Sequence, residues 1–286
     1  LITYKEEKMP SKIISNEKIA PEIFKIVLVA PQIAKKHRAG QFIILRVGER
    51  GERIPLTVVE KDPQAGTITL IYQVVGKTTM WLSDKKAGEE LQDLVGPLGN
   101  PTEIENFGNA VAIGGGVGCA CVYPIAKALK EAGNHLTIIW GARTKEHLLL
   151  EKEIAEISDR LEICTDDGSK GTHGFVSEVL KRMIEQKEKI DYVIAVGPVP
   201  MMRAIVELTR GPGIRTVVSL NSIMVDGTGM CGSCRVLVGG ERKFACVDGP
   251  EFDGHKVDFK NMMTRLRVYK EFEDLAKEKY QEERGR

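Results

Sequence analysis

Asp226, Cys231, Cys234 and Cys246 set a D-x4-C-x2-C-x11-C pattern that opens with the run Asp226-Gly-Thr-Gly-Met-Cys-Gly-Ser-Cys234, and no other segment restricts the folding of this chain as much. Sulfur and carboxylate donors this close in sequence converge only where the backbone turns tightly, which the interleaved glycines permit. The spacing C-x4-C-x2-C with a distant fourth cysteine suits a [2Fe-2S] cluster, and here an aspartate stands in the first position. A carboxylate is short and anionic, so three thiolates and one oxygen would hold two irons with unchanged ligand charge. Two other readings stand beside it. Zinc accepts Cys3Asp, although its structural sites usually pair two C-x2-C-type knuckles and only one occurs here. A disulfide is uncommon in a cytosolic context. The other three cysteines, Cys119, Cys121 and Cys164, fall in apolar segments and read as small core residues.

A knob built on metal ligands needs larger domains to carry it, and 286 residues at 42% hydrophobic content allow two or three. From Lys12 to about Thr102, short β-rich runs alternate with turn residues: Ile23 to Val29, Gln41 to Val47, Pro55 to Val59, Thr67 to Val75 and Gln92 to Val95. Bounded by Gly, Pro and Asp, they predict an all-β barrel or sandwich over residues 1–102. From Asn109 the rhythm becomes strand, glycine loop, helix. Strands are expected at Ala110 to Ile113, Leu136 to Trp140, Leu161 to Thr165, Tyr192 to Val196 and Thr216 to Leu220. Helices are expected through Ile125 to Ala132 and over Lys145 to Ile157, Phe175 to Ile184 and Pro200 to Leu208. That alternation makes residues 103–220 a doubly wound parallel sheet, which binds nucleotides at the carboxyl ends of its strands. The third part, 221–286, holds the cysteine segment, without helical or long-strand periodicity, then a charged terminal helix and a frayed tail.

Charge narrows the partners. With 41 basic and 40 acidic residues, nothing points to nucleic acid or a membrane surface. No apolar run approaches the roughly eighteen residues of a membrane span, and no signal-peptide core opens the sequence, so a cytoplasmic location is expected.

Gly114-Gly115-Gly116-Val117-Gly118 follows an apolar strand and precedes a helix, where small residues let backbone amides approach a pyrophosphate. It lacks the last glycine of G-x-G-x-x-G, since Cys119 takes that place, and such a turn also serves tight strand-to-helix packing. The next strand ends without the acidic residue that binds a ribose hydroxyl; Arg143 there meets a phosphate or is simply solvated, which leaves NAD and NADP both open. Gly197, Pro198 and Met201 open a later helix and suit a nicotinamide wall. In the β-domain, Arg53-Ile-Pro55-Leu56-Thr57 and Gly76-Lys77-Thr78-Thr79 are flavin candidates, with Tyr72, Gln73 and Val74 ending the strand before the second. Lys77, the two threonine hydroxyls and nearby amides would hold a diphosphate, and Thr57 would place a hydroxyl near a flavin nitrogen. Gly76 to Thr79 also reads as a plain turn.

The order of an all-β domain, a parallel nucleotide domain with Gly-Gly-Gly-x-Gly and Gly-Pro, and a cysteine cluster with Cys246-Val-Asp-Gly-Pro-Glu-Phe252 resembles the ferredoxin-NADP reductase-like superfamily. Within it, the chain is similar to dihydroorotate dehydrogenase electron-transfer subunits and to the small subunits of NADH-dependent reduced ferredoxin:NADP oxidoreductases. The pyrimidine branch has a cysteine where this chain has Asp226, so the likeness leans to the second group. The superfamily's Arg-x-x-Ser/Thr is out of register here, because three residues before Thr57 stands Ile54. The resemblance implies FAD in the β-domain, NAD(H) at the Gly114 loop, and a [2Fe-2S] cluster at Asp226, Cys231, Cys234 and Cys246. It also implies a hetero-pair with a larger subunit, bearing its own FAD and [4Fe-4S] clusters, that handles NADPH and ferredoxin in electron bifurcation. No protein side chain is assigned as general acid or base.

Overall fold

Residues 11–284 are described by the structure, a computed structural model. Strands β1 (Ile13–Ala20), β2 (Ile23–Val29), β3 (Phe42–Arg46), β4 (Arg53–Asp62), β5 (Thr67–Gln73) and β6 (Asp93–Leu98) form an antiparallel sheet in the order β1-β2-β5-β4-β3-β6. Its two edges meet: the Ile13 amide donates to Glu89 O and the Gly88 amide donates to Ile13 O, both at 2.8 Å. The sheet therefore closes toward a barrel. Alternation selects the interior, with Ile26, Leu28, Ile43, Leu45, Ile68 and Leu70 buried on one side. Each such side chain contributes about 1.5–3 kcal/mol relative to exposure.

Three features of this domain depart from the sequence expectation. β1 has no strong alternation, because Glu17, Lys18 and Ile19 are all exposed at its end, yet it pairs along β2. Pro31–Lys36 forms a short helix, α1, opened by proline at its first position. Lys77–Asp84 forms α2, so Gly76 to Thr79 is a helix start and not a plain turn.

The second sheet contains β7 (Asn109–Gly115), β8 (His135–Ala142), β9 (Arg160–Thr165), β10 (Thr172–His173), β11 (Tyr192–Val196) and β12 (Arg215–Ser219), all parallel. Helices α3 (Gly118–Glu131), α4 (Glu151–Ile157), α5 (Val176–Glu185) and α6 (Val199–Arg210) connect them. The order is β10-β9-β8-β7-β11-β12, so successive strands are added outward on one side of β7 and then, from β11, on the other. Two cores follow from alternation along the central strands. Ala110, Ala112, Ile194 and Val196 pack with α3, whereas Val111, Ile113, Val193 and Ala195 pack with α5 and α6. Barrel residues Ile23, Val59 and Ile71 join the α3 core, which fixes the two domains together. The helix expected from Lys145 to Ile157 is divided: a single 3-10 turn covers Lys145–His147, and left-handed Leu150 (φ 54°) precedes α4.

After β12, Arg235–Val238 (β13) and Glu241–Phe244 (β14) make a hairpin, and Glu251–Asp253 (β15) returns to pair antiparallel with β12. The chain then forms two helices, α7 (Phe259–Leu266) and α8 (Lys270–Arg284), in place of one helix with a frayed tail. The end of α8 rests on α2: the Tyr280 hydroxyl donates to Asp84 at 3.0 Å and Arg284 pairs with the same carboxylate. Among the described residues, no helix is long and apolar enough to cross a membrane.

Candidate functional site

The carboxyl ends of β7, β8, β11 and β12 all open onto one cavity of about 790 Å³, roofed by the barrel. This is the crevice at a reversal of strand order where open α/β sheets bind ligands. Pro55, Leu56, Thr57 and Gln73 line it from the barrel. Gly115, Gly116, Val117 and Gly118, with Arg143 and then Gly197, Pro198 and Met201, line it from the sheet. These candidates from five separate segments therefore face one space.

The glycines there have steric work. A Cβ on Gly118 would collide with the Val196 carbonyl and lie 2.9 Å from Gly197 Cα, so α3 can approach β11 only without a side chain at that position. A Cβ on Gly115 would meet the Met201 sulfur. Gly116 adopts φ 57° and has nothing within reach of a Cβ, leaving open backbone at the loop's tip. That is the local geometry a pyrophosphate needs from a strand-loop-helix turn. Gly114 does not line the cavity; a Cβ there would strike Cys119, so its role is packing.

The flavin candidates separate. Arg53 lies 3.6 Å from Asp93 on β6 and is not part of the cavity wall, and neither are Val74 and Gly76 to Thr79. The ring of Tyr72 is buried in the barrel core, and its hydroxyl donates to Asn16 at 3.0 Å. Both threonine hydroxyls are engaged. Thr78 donates to Glu52 at 2.7 Å, and Thr79 accepts from the Val75 and Gly76 amides at 3.0 and 3.1 Å, capping α2. Lys77 remains as a diphosphate candidate, beside open space at Gly76, whose own amide is already used by Thr79.

Sequence reasoning missed several cavity residues. Ser219 ends β12, and Asp166 and Asn221 follow β9 and β12, so the strand-end rule would have found these three; His147 lies in the 3-10 turn beyond β8. Phe42, Met224 and Pro250 carried no such signal. Cys121, expected in the core, lines the cavity beside Thr57. Burial pushes its thiol up, with a hydrogen bond to Thr57 acting the other way. Cys119 and Cys164 are the core residues expected.

All six cysteines are free. Cys234 and Cys246 are buried with their sulfurs 3.2 Å apart, joined with Phe42, Ile44, Met224 and Ala245 in one apolar cluster. Cys231 is exposed on the loop above, its sulfur 3.1 Å from the Ser233 hydroxyl. Asp226 receives the Thr228 amide at 3.0 Å and the Cys231 amide at 2.8 Å, bonds that hold its carboxyl below the ordinary range against the effect of burial. The same carboxylate therefore shapes the loop and retains lone pairs for a metal.

Tight backbone completes the cradle: Gly227, Gly229 and Gly232 all have positive φ, and a Cβ on Gly227 would strike Ile44 and Leu98 of the barrel at 2.7 Å. Burial, and then the adjacent Cys234 sulfur, pushes the Cys246 thiol well up, so a thiolate there needs cationic charge beside it. Among the described residues, no three His, Cys, Asp or Glu side chains focus on a point for a single metal ion. A binuclear cluster would divide these four donors between two irons.

Comparison with known proteins agrees with this division of sites. Residues 112–207 match the oxidoreductase NAD-binding domain family, and residues 221–258 match the iron-sulfur cluster binding domain of dihydroorotate dehydrogenase B. A Thermotoga maritima protein described as a dihydroorotate dehydrogenase B (NAD(+)), electron transfer subunit homolog is 50% identical over 270 residues, covering 94% of this chain and 95% of that protein. A Geobacillus dihydroorotate dehydrogenase B (NAD(+)), electron transfer subunit is 34% identical over 262 residues, covering 88% and 98% respectively. A chain from a solved structure on flavin-based electron bifurcation by NADH-dependent reduced ferredoxin-NADP oxidoreductase superposes with a TM-score of 0.90 at 48% identity, covering 96% of this chain and 99% of that one.

Proposed function

Because this chain belongs to the dihydroorotate dehydrogenase B-type electron-transfer subunits of the ferredoxin-NADP reductase-like superfamily, we propose that it is the NADH arm of an electron-bifurcating NADH-dependent reduced ferredoxin:NADP oxidoreductase. It is an oxidoreductase subunit with an NAD-binding and an iron-sulfur domain. In this reading residues 1–102 hold FAD, 103–220 hold NAD(H), and 221–286 hold a [2Fe-2S] cluster. A bound flavin supplies both hydride exchange with nicotinamide and single-electron exchange with the cluster.

The chain's own residues bind, orient and enclose. Gly115 to Gly118 present amides to the dinucleotide, and Gly197, Pro198 and Met201 wall the nicotinamide. Pro55, Leu56, Thr57 and Gln73 seat the flavin ring against it, with Lys77 toward the diphosphate. Asp226, Cys231, Cys234 and Cys246 hold the cluster.

One observation carries the proposal. Phe42 and Met224 line the cavity and also pack in the apolar cluster that contains Cys234 and Cys246. One layer of side chains therefore separates the nucleotide cavity from the buried thiols, a short path for electrons. Around the exposed Cys231, Met230 is 89% exposed and Val225 and Val247 are also exposed, an apolar rim suited to a partner. We assign that partner as the larger flavin and [4Fe-4S] subunit that handles NADPH and ferredoxin, in a cytoplasmic heterodimer.

The relatives named as dihydroorotate dehydrogenase B electron-transfer subunits favour a second reading, delivery of electrons to a dihydroorotate-oxidising partner. Anaerobic purification from the native source decides between them. Bifurcation predicts FAD, iron and acid-labile sulfide in the chain and a copurifying subunit with [4Fe-4S] clusters; an FMN enzyme active on dihydroorotate in its place would establish the second reading.

A further inference from the structure

The loop between Cys231 and Cys234 contains two peptide units whose carbonyls are both held from outside by arginine. Arg235, opening β13, donates to Gly232 O at 2.8 Å. Arg265, on α7, donates to Ser233 O at 3.2 Å. Arg265 lies beyond the 221–258 stretch that matches the cluster-binding domain, so this second clamp comes from a separate element. Its helix is anchored: Met262 is buried in the α5–α6 core and lines, with Ser233 and both arginines, one small cleft.

A planar trans peptide points its N–H opposite its C=O. Holding the Gly232 carbonyl toward Arg235 therefore fixes where the Ser233 amide points, and holding the Ser233 carbonyl toward Arg265 fixes the Cys234 amide. The Ser233 hydroxyl, between these two held peptides, lies 3.1 Å from the Cys231 sulfur. Donors on a ligand sulfur stabilise the more negative, reduced form of an iron-sulfur centre and raise its potential.

Resting on the reading of Cys231 and Cys234 as cluster ligands, we infer that Arg235 and Arg265 are positioning residues that set the cluster's reduction potential by fixing the peptides on either side of Ser233 and so holding its hydroxyl on the Cys231 sulfur. Neither arginine needs to touch the cluster.

The test is a potentiometric EPR titration of the purified, cluster-loaded chain and its variants, with iron and acid-labile sulfide measured alongside. Arg265→Ala and Ser233→Ala are expected to move the midpoint negative, lowering the reduced-to-oxidised ratio at fixed potential by about tenfold, the equivalent of one charge-assisted hydrogen bond and of about 59 mV for one electron. Arg265→Gln keeps a donor without the charge and is expected to stay near the wild-type midpoint. If it shifts as far as the alanine variant, charge and not position is responsible and the inference fails. Should Arg265→Ala lose its iron, the same comparison is made with Arg235→Ala and Arg235→Gln. A wild-type cluster whose midpoint ignores every substitution overturns the inference alone, whereas a wild-type chain without iron and sulfide overturns the cluster reading beneath it.

Discussion

The Thr102 hydroxyl donates a 2.6 Å hydrogen bond to the carboxyl of Glu251, joining the segment that leaves the barrel to the strand that returns from the cysteine loop. The contact is tight on the barrel side as well, since a Cβ on Gly40 would lie 2.7 Å from the same carboxyl. Burial pushes the Glu251 carboxyl up to about 7, and the Thr102 hydroxyl opposes the rise. A polar group at this junction of domains is thus held near the pH at which it changes charge.

The sign of its linkage to stability follows. The native carboxyl holds its proton to about pH 7, while the unfolded one releases it near 4.5. Its contribution is complete below the unfolded value and is lost as pH rises through the native one. Stability is expected to fall by on the order of 2–3 kcal/mol between about pH 4.5 and 7 from this group. Urea unfolding at several pH values checks it: the decline should flatten in Glu251→Gln, and an identical decline in both proteins would assign it elsewhere.

Two glycines of the β7–α3 loop should separate fold from binding. Gly118→Ala sets a methyl against backbone of β11 and is expected to destabilise the domain by about 1–3 kcal/mol. Gly115→Ala meets the flexible end of Met201, which can move aside into the cavity. Its expected effect is NADH affinity weakened on the order of tenfold with little change in melting temperature. Calorimetry with NADH titration measures both; equal destabilisation by the two substitutions would contradict the distinction.

Features governed by neighbours in sequence were readable there. The central strands, buried on both faces, are mostly apolar, and Gly115 and Gly118 announce a close approach that a side chain would obstruct. The paired spacing of Cys231 and Cys234 is likewise local. What stayed hidden depends on distant partners. β1 exposes Glu17 and Lys18 and becomes a strand through pairing with β2. Thr78 and Thr79 suit a phosphate loop and a helix start equally, and only Glu52 and the Gly76 amide decide how their hydroxyls are used. Phe42 and Met224 look like any core residues until the barrel and the loop after β12 are brought together.

Thr57 stands where the barrel meets Cys121 of α3, in the cavity wall. If its hydroxyl serves the flavin ring, Thr57→Val should retain flavin yet slow its reduction by NADH about tenfold, the loss of one hydrogen bond. Thr57→Ser should stay near wild type. Stopped-flow bleaching of the flavin band under anaerobic conditions measures the rate, and a Val variant as fast as wild type would leave the hydroxyl a structural partner of Cys121.

Asp226 has two tasks that substitution can separate. Its carboxylate organises the loop through the Thr228 and Cys231 amides, and it occupies the first ligand position of the cysteine spacing. Asn keeps an acceptor for an amide but loses the anionic oxygen, so Asp226→Asn should fold normally and lose iron. Asp226→Cys gives up the carboxylate bonds and restores a thiolate, so it should hold the cluster with an altered EPR spectrum and midpoint. A purely structural aspartate predicts the reverse order, with Asn retaining the cluster better than Cys. Iron and sulfide content of the two variants, with circular dichroism to confirm folding, therefore tells a ligand from a loop brace.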